Sequence, residues 1–118
     1  MIRCAHSDPN HQVIILICVC VFLGQTACSD PGILKRYREP PEAEDGVSWH
    51  FSDQAQTYRP TGAYYCSDCN CVIEEYDHVC PWTGTGIGKK NLRPFHRFVG
   101  SIVCLICFIT FMLMYTMF

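Results

Sequence analysis

The sequence lacks a strong net charge, an internal repeat and a phosphate-binding glycine loop. Its 118 residues carry a formal net charge of −2, which is too small to indicate a charged partner, and we expect no nucleic-acid ligand. No segment recurs along the chain, which argues against a repeat architecture. The run TGTGIGKKN fails the P-loop pattern at Thr83 and Lys90 and the dinucleotide-binding pattern at Lys89. Its glycines are therefore interpreted as turn residues.

Aliphatic residues are few in the middle of the chain. Between Tyr58 and Phe98, Cys, Gly and aromatic residues prevail, and such a stretch cannot bury a conventional core. We expect it to be held by metal, by membrane helices or by both. The run EPPEAEDG at 39–46 is acidic, contains proline and has no periodicity, which predicts a mobile linker.

Apolar residues collect instead at the two ends of the chain. The run over 98–118 contains 21 residues and no charge, about the ~20 residues that a helix needs to cross the hydrocarbon layer. We therefore predict a transmembrane helix there and a second one over 13–28. The second run is shorter and carries Gln25, so a signal-peptide core is the alternative. Against that alternative, no basic cluster immediately precedes the run, and SDPG follows it in place of an A-x-A-like cleavage site.

Basic residues predict the orientation of the loop between the two apolar runs. Eight of the nine Lys and Arg lie in this loop, which the positive-inside rule places in the cytoplasm. The predicted fold is an α-helical membrane protein in which two transmembrane helices flank a small, irregular, cytosolic cysteine-rich domain. Along the chain this predicts a lumenal or extracellular tail (1–12), a helix (13–28), a cytosolic DPG segment with the acidic linker (29–57), the cysteine-rich domain (58–97) and a helix (98–118).

The loop cysteines favour metal binding or chemistry over disulfides, because the cytosol is reducing. Cys66 and Cys69 form a C-x-x-C pair, the spacing at which two thiolates on one turn reach a single tetrahedral zinc. No second pair stands at zinc-ribbon spacing. The remaining ligands would come from Cys71, His78, Cys80 or the distant His50, and Cys80 would then be consumed as a ligand.

The alternative hypothesis makes Cys80 a nucleophile. Acyl transfer to a thiol needs a base and a carboxylate that orients the base, and Asp77, His78 and Cys80 supply these three groups within four residues. Trp82 is suited to a membrane interface. Four cations follow, which either attract an anionic acyl donor and acidic lipids or only determine the topology: Lys89, Lys90, Arg93 and Arg97.

The motif-bearing part of the chain resembles one family of membrane enzymes. CSDCNCVIEEYDHVCPWTGTGIGKKN at 66–91 is similar to the cysteine-rich domain of the DHHC protein S-acyltransferases, or palmitoyltransferases, with DHVC in place of DHHC. DPG at 30–32 resembles the family motif that follows the second membrane helix. YRP at 58–60 looks like the lead-in to the cysteine-rich domain, and GKKNLRPF, with Asn91 and Phe95, resembles the entry into the third membrane helix.

This resemblance implies a function and a role for each motif residue. Cys80 would accept a palmitoyl-type acyl group from acyl-CoA as a thioester and pass it to cysteine thiols of substrate proteins. His78 would be the base and Asp77 its orienting partner. The expected partners are membrane lipids, palmitoyl-CoA and proteins with juxtamembrane cysteines. The expected location is the endoplasmic reticulum, the Golgi or the plasma membrane.

The sequence departs from the family pattern at the zinc ligands. The family binds two structural zinc ions, but its first C-x-x-C falls here at Ser52 and Ala55. The other expected ligands are also replaced: the His by Tyr65, the third Cys by Val72, the second His of the motif by Val79 and the Cys before IG by Gly86. An incomplete metal site at Cys66, Cys69 and Cys71 is what remains. Cys71 lies one residue before the expected ligand position at Val72, and a β-bulge would be needed to turn its side chain towards the metal.

The two predicted helices are half of the four that the family has. We therefore expect an apparently truncated chain. A second function is open on this ground: an inactive fragment or relative that acts as a membrane-anchored interaction module.

Overall fold

The computed structural model describes residues 9–42 and 46–118. Residues 1–8 of the expected tail and 43–45 of the acidic linker lie outside this part of the chain. The described residues measure 77 × 27 × 21 Å, a long and narrow shape. Two helices and six strands follow one another: α1 Pro9–Ala27, β1 Trp49–Ser52, β2 Thr57–Pro60, β3 Ala63–Cys66, β4 Cys71–Glu74, β5 His78–Cys80, β6 Thr85–Ile87 and α2 Leu92–Met117.

The two helices pack against each other and leave most of their apolar side chains exposed. Both are long and apolar enough to cross a membrane. At 1.5 Å per residue, the 26 residues of α2 extend about 39 Å, more than the ~30 Å of the hydrocarbon layer. The helix begins at Leu92, before the uncharged run, so Arg93 and Arg97 lie in its first turns. Pro94 is tolerated there because the first turn needs no backbone N–H from it.

The cysteine-rich domain contains three antiparallel hairpins, and the expectation of an irregular domain was wrong in this respect. β1 pairs with β2, β3 with β4 and β5 with β6. β1 lies within residues 29–57, which the sequence had assigned to the DPG segment and linker, so the first hairpin begins ahead of the predicted domain. The strands are only three or four residues long, too short for their alternation to be read from one sequence.

The three hairpins repeat one turn at intervals of 14 residues. The first strands end at positions 52, 66 and 80, and each of these residues faces the one five positions later. The fifth residue of each turn has a left-handed backbone, with φ of 51°, 50° and 65°; these residues are Gln56, Asn70 and Gly84. No repeat is visible in the sequence because the equivalent positions hold Ser52, Cys66 and Cys80.

The DPG segment joins the hairpins to the end of α1. The Leu34 N–H donates to the Val72 carbonyl, and the Glu74 N–H donates to the Gly32 carbonyl, both at 2.9 Å. Further along, the Tyr37 N–H donates to the Thr57 hydroxyl at 2.7 Å. Residues 30–37 thus bind the first and second hairpins through backbone hydrogen bonds.

Asp30 links the same segment to the start of α2. Its carboxylate accepts hydrogen bonds from the Gly32 and Ile33 N–H groups at 2.9 and 3.0 Å and from Lys90 Nζ at 2.9 Å. The Ile33 N–H, the Lys90 ammonium and the Gly32 N–H lower the pKa of Asp30 to about 2, because all three favour the ionised carboxylate. The ends of both helices therefore meet at one charged contact.

Candidate functional site

Strand β5 places His78 and Cys80 on the same side of the third hairpin. Residues i and i+2 of a strand point to one face, and both side chains line one groove. Among the described residues no hydrogen bond joins His78 to Cys80. His78 and Cys80 are therefore neighbours along one wall of the groove.

The imidazole of His78 is oriented by two contacts. Its Nδ1 lies 3.1 Å from Asp77 Oδ2, and its ring meets the ring of Phe95 edge to face, with centroids 5.1 Å apart. The side chains of His78 and Asp77 are 41% and 60% exposed, so this pair lies at the surface. A carboxylate on Nδ1 favours the tautomer whose Nε2 accepts a proton.

Cys80 is buried at the turn of the third hairpin, with 4% of its surface exposed. Burial alone would raise the pKa of its thiol. The Thr83 N–H, the Thr83 hydroxyl and the Trp82 N–H favour the charged thiolate, outweigh burial and lower the pKa of Cys80 below the ordinary value of a thiol. The Thr83 hydroxyl also donates to the Cys80 carbonyl oxygen at 3.3 Å. These donors stabilise the thiolate, which is the nucleophilic form of cysteine.

The second hairpin shows the same turn around Cys66. There the Cys69 N–H donates to Cys66 Sγ at 3.1 Å, and Cys69 stands three residues after Cys66 as Thr83 does after Cys80. The role of Thr83 beside Cys80 was not predicted from the sequence. The signal was the spacing, because C-P-W-T repeats the C-x-x-C interval with a hydroxyl in place of the second thiol.

An apolar groove of about 520 Å³ runs from Cys80 along α2. The hairpin wall contains His78, Cys80, Pro81 and Trp82, and the helix wall contains Phe95, Phe98, Val99 and Ile102. The helix residues follow the i, i+3, i+4, i+7 spacing of a single helical face. Trp82 is 82% exposed, as expected for an indole at a membrane interface. The groove is wide and apolar enough to hold an alkyl chain beside the Cys80 thiol.

Asn91 holds the two walls of the groove in register. It is fully buried; its Oδ1 accepts a hydrogen bond from the Gly88 N–H and its Nδ2 donates to the Gly86 carbonyl, both at 2.9 Å. Since Asn91 directly precedes α2, these bonds connect the end of the third hairpin to the helix. Gly88 allows the DPG segment and the second hairpin to pack closely against this connection, because a Cβ there would overlap the Pro31 carbonyl oxygen and the Ile73 side chain.

The expected metal residues lie together in the second hairpin. Cys66 and Cys71 face each other across it, and burial together with the neighbouring Cys66 raises the pKa of the Cys69 thiol to about 11. Over residues 9–42 and 46–118, no three or more Cys, His, Asp or Glu side chains are grouped so that they fit a metal ion. His50 contacts the Ser48 and Thr61 hydroxyls at 3.3 Å instead.

The four cations expected near the headgroups divide into two pairs. Lys89 forms ion pairs with Glu74 at 2.6 Å and Glu75 at 3.6 Å, and Lys90 binds Asp30. Both lysines therefore hold the domain together. Arg93 and Arg97 are exposed on the first turns of α2.

Comparison with known proteins identifies the family of this chain. Residues 47–118 match the model of the DHHC palmitoyltransferase family. The chain belongs to this family. It is 32% identical to Protein S-acyltransferase 8 of Arabidopsis thaliana, over 82% of this chain and 31% of that protein. It is 31% identical to Palmitoyltransferase ZDHHC18-A of Danio rerio, over 81% of this chain and 26% of that protein. It is 30% identical to Palmitoyltransferase ZDHHC18 of Mus musculus, over 86% of this chain and 33% of that protein.

The resemblance to the DHHC palmitoyltransferases is thus confirmed. These three relatives are named as S-acyltransferases or palmitoyltransferases, and the chain spans about a third of their length or less. In the DHVC motif of this chain, His78 and Cys80 line one groove, and Asp77 contacts the imidazole of His78. The motif Val79 lies between His78 and Cys80, so it points to the other face of β5.

Proposed function

We propose that this chain carries the acyl-transfer site of a protein S-acyltransferase, with Cys80 as the nucleophile. One observation supports this above the others: a buried cysteine with a lowered thiol pKa lies at one end of an apolar groove that continues along α2. A thiolate next to a site for an alkyl chain is what formation of an acyl-cysteine requires. The proposed donor is palmitoyl-CoA or a similar long-chain acyl-CoA.

In the first step the Cys80 thiolate attacks the carbonyl carbon of the acyl-CoA thioester. The bond from that carbon to the coenzyme A sulfur breaks, and coenzyme A leaves as a thiolate that takes up a proton. The acyl group is then held as a thioester on Cys80. Its alkyl chain lies along Phe98, Val99 and Ile102, where apolar contact stabilises it by about 0.8 kcal/mol for each buried methylene.

In the second step a cysteine of the substrate protein replaces Cys80 on the acyl group. His78 accepts the proton of the substrate thiol, and that sulfur attacks the acyl-Cys80 carbonyl. The bond to Cys80 breaks, and the enzyme thiolate is restored. Asp77 holds the imidazole through the 3.1 Å contact and stabilises the imidazolium that forms.

The groove also suggests where substrates come from. Trp82 and the first turns of α2 fit the headgroup region of a bilayer. A substrate cysteine next to a membrane anchor therefore meets Cys80 at the same depth. We propose a cytosolic orientation for the hairpins and a place in the endoplasmic reticulum, Golgi or plasma membrane.

The test is acyl loading of the detergent-purified chain by a clickable palmitoyl-CoA analogue. We expect label on the wild type that hydroxylamine releases, and none on Cys80→Ser. Transfer of that label from Cys80 to an added cysteine peptide should be at least about a hundredfold slower for His78→Ala, since general base catalysis contributes roughly 10²–10⁴-fold. Cys28→Ser is the matched control, because Cys28 is an exposed cysteine at the end of α1. Label that persists on Cys80→Ser and disappears on Cys28→Ser would contradict the proposal. The same result would favour the interaction module.

A further inference from the structure

We propose that the three hairpins of this chain fold without structural zinc, because packed side chains occupy the positions of the missing ligands. The zinc that the family implies has no fitting ligand set in this chain: no group of three or more donor side chains in the described residues matches a metal site. The positions concerned are known from the family pattern. What each of them contacts in this structure shows what replaces the metal.

Most side chains at the first set of ligand positions form a small apolar cluster. This set holds Ser52, Ala55, Tyr65 and Val72. Ala55 and Val72 are each 4% exposed and pack with Ala63, which is fully buried, while Tyr65 and Leu34 cover the cluster. Three of the four ligand positions, Ala55, Tyr65 and Val72, are therefore part of one hydrophobic contact. Aliphatic side chains cannot donate an electron pair to zinc, and zinc in proteins takes Cys, His, Asp or Glu.

Ser52 keeps the shape of the turn at the fourth position of this set. It is buried, and its hydroxyl accepts a hydrogen bond from the Ala55 N–H at 3.4 Å. The same bond joins the Cys69 N–H to Cys66 Sγ in the second hairpin. The first hairpin thus retains the turn of a metal-binding C-x-x-C while its side chains pack as an ordinary core.

Ile73 fills the space between Cys69 and Gly86, two positions of the second ligand set. It is fully buried, and a Cβ built on Gly86 would lie 2.8 Å from Ile73 Cδ1 and 3.3 Å from Cys69 Sγ. A cysteine at position 86 would therefore point at Cys69, but Ile73 already fills that space. Cys66, 1% exposed, then contributes to the interior as a small apolar residue would.

Hydrogen bonds from the DPG segment provide the connection between hairpins that a bound ion would otherwise supply. Residues 32 and 34 bond to the second hairpin at Glu74 and Val72, and Tyr37 bonds to the first hairpin at Thr57. Glu75 N–H also donates to the Gly62 carbonyl at 2.9 Å. These hydrogen bonds join the hairpins through the polypeptide itself and need no metal.

Thermal unfolding of the full chain in detergent tests the proposal. The two tryptophans of the chain, Trp49 and Trp82, both lie in the hairpin domain, so their fluorescence reports on this domain alone. We expect the same unfolding midpoint with and without a zinc chelator. Val72→Ala should lower the midpoint by roughly 5 °C or more, because it leaves a cavity in a small core. Cys69→Ser, the matched change in the second hairpin, should leave it nearly unchanged.

Metal content of the same preparations completes the test. The variant Ser52→Cys, Ala55→Cys, Tyr65→His, Val72→Cys restores four ligands and serves as the positive control for zinc uptake. We expect far less than one zinc per wild-type chain. Stoichiometric zinc in the wild type, or a midpoint that falls on chelation and in Cys69→Ser, would overturn the proposal and assign the metal to Cys66, Cys69 and Cys71. The readout is stability and metal content, so the result does not depend on acyl transfer.

Discussion

At the scale of single residues, the residue that ends the first strand of each hairpin has a different role in each of the three hairpins. Ser52, Cys66 and Cys80 occupy equivalent places, and the first two accept a backbone hydrogen bond from the residue three positions on. Cys80 differs in that it lines an apolar groove and has a lowered thiol pKa. The turn supplies donors that stabilise a thiolate, and its surroundings decide whether that thiolate is reactive.

Replacing Thr83 with Val tests the contribution of the hydroxyl. Val keeps the branched shape at a buried position but removes one donor, and we expect the pKa of Cys80 to rise towards that of an ordinary thiol. Alkylation of Cys80 by iodoacetamide at neutral pH should then be roughly tenfold or more slower, since a hydrogen bond to a charged group is worth about 1.5–3 kcal/mol. The rate is measured against pH by mass spectrometry of the Cys80 peptide.

The matched control is Thr85→Val in the same hairpin. The Thr85 hydroxyl donates to the Gly86 carbonyl at 3.4 Å, so its loss should leave the pH profile of Cys80 unchanged. If the two variants gave the same profile as the wild type, backbone N–H groups alone would account for the lowered pKa. The Thr83 hydroxyl would then have no part in stabilising the thiolate.

At the scale of elements, the sequence predicted what depends on composition and missed what depends on pairing. The helix over 98–118 was predictable because an uncharged run of this length has few other uses, yet α2 begins earlier because Arg93 and Arg97 are compatible with a helix outside the hydrocarbon layer. The hairpins were not predictable, since four-residue strands lie below the length at which alternation is informative. Their 14-residue repeat was hidden by the different chemistry of Ser52, Cys66 and Cys80.

The DPG segment yields a prediction for stability against pH. The folded pKa of Asp30, about 2, is lower than its ordinary value of 3.8, so its ionised form stabilises the fold above about pH 4. That stabilisation is lost as the pH falls from about 4 to about 2. We expect Asp30→Asn to have a lower unfolding midpoint at neutral pH and a smaller loss of stability than the wild type in this pH window. The effect is modest, because the side chain of Asp30 is half exposed and solvent screens its charge.

Two further variants separate the contacts of Asp30. Lys90→Gln removes the ion pair but keeps the Gly32 and Ile33 hydrogen bonds, so it should retain most of the acid-dependent loss. Asp68→Asn, an exposed carboxylate in the turn of the second hairpin, controls for the change in net charge. A parallel acid profile for Asp30→Asn and the wild type would show that other carboxylates determine the loss.

At the scale of the whole molecule, the candidate site exists only where the third hairpin meets α2. The sequence predicted Asp77, His78 and Cys80 as a catalytic set, because their side-chain types form such a set within four residues, and this stays a prediction. It did not identify the groove, since Phe98, Val99 and Ile102 read only as part of an apolar helix and Phe95 only as part of the GKKNLRPF run before it. Buried Asn91 joins the two elements through its bonds to Gly86 and Gly88, and residue spacing alone does not imply this contact.

The length of this groove predicts a preference for acyl length. Ile102 lines the groove at the residue farthest along α2 from Cys80, so Ile102→Trp should shorten it from that end. We expect palmitoyl loading of Cys80 to fall roughly tenfold or more relative to octanoyl loading, since each methylene excluded from apolar contact costs about 0.8 kcal/mol. Val103→Trp is the matched control, because Val103 is 53% exposed and is not among the groove residues. Equal losses for both acyl lengths in Ile102→Trp, or the same change in Val103→Trp, would mean that the acyl chain lies elsewhere on the molecule.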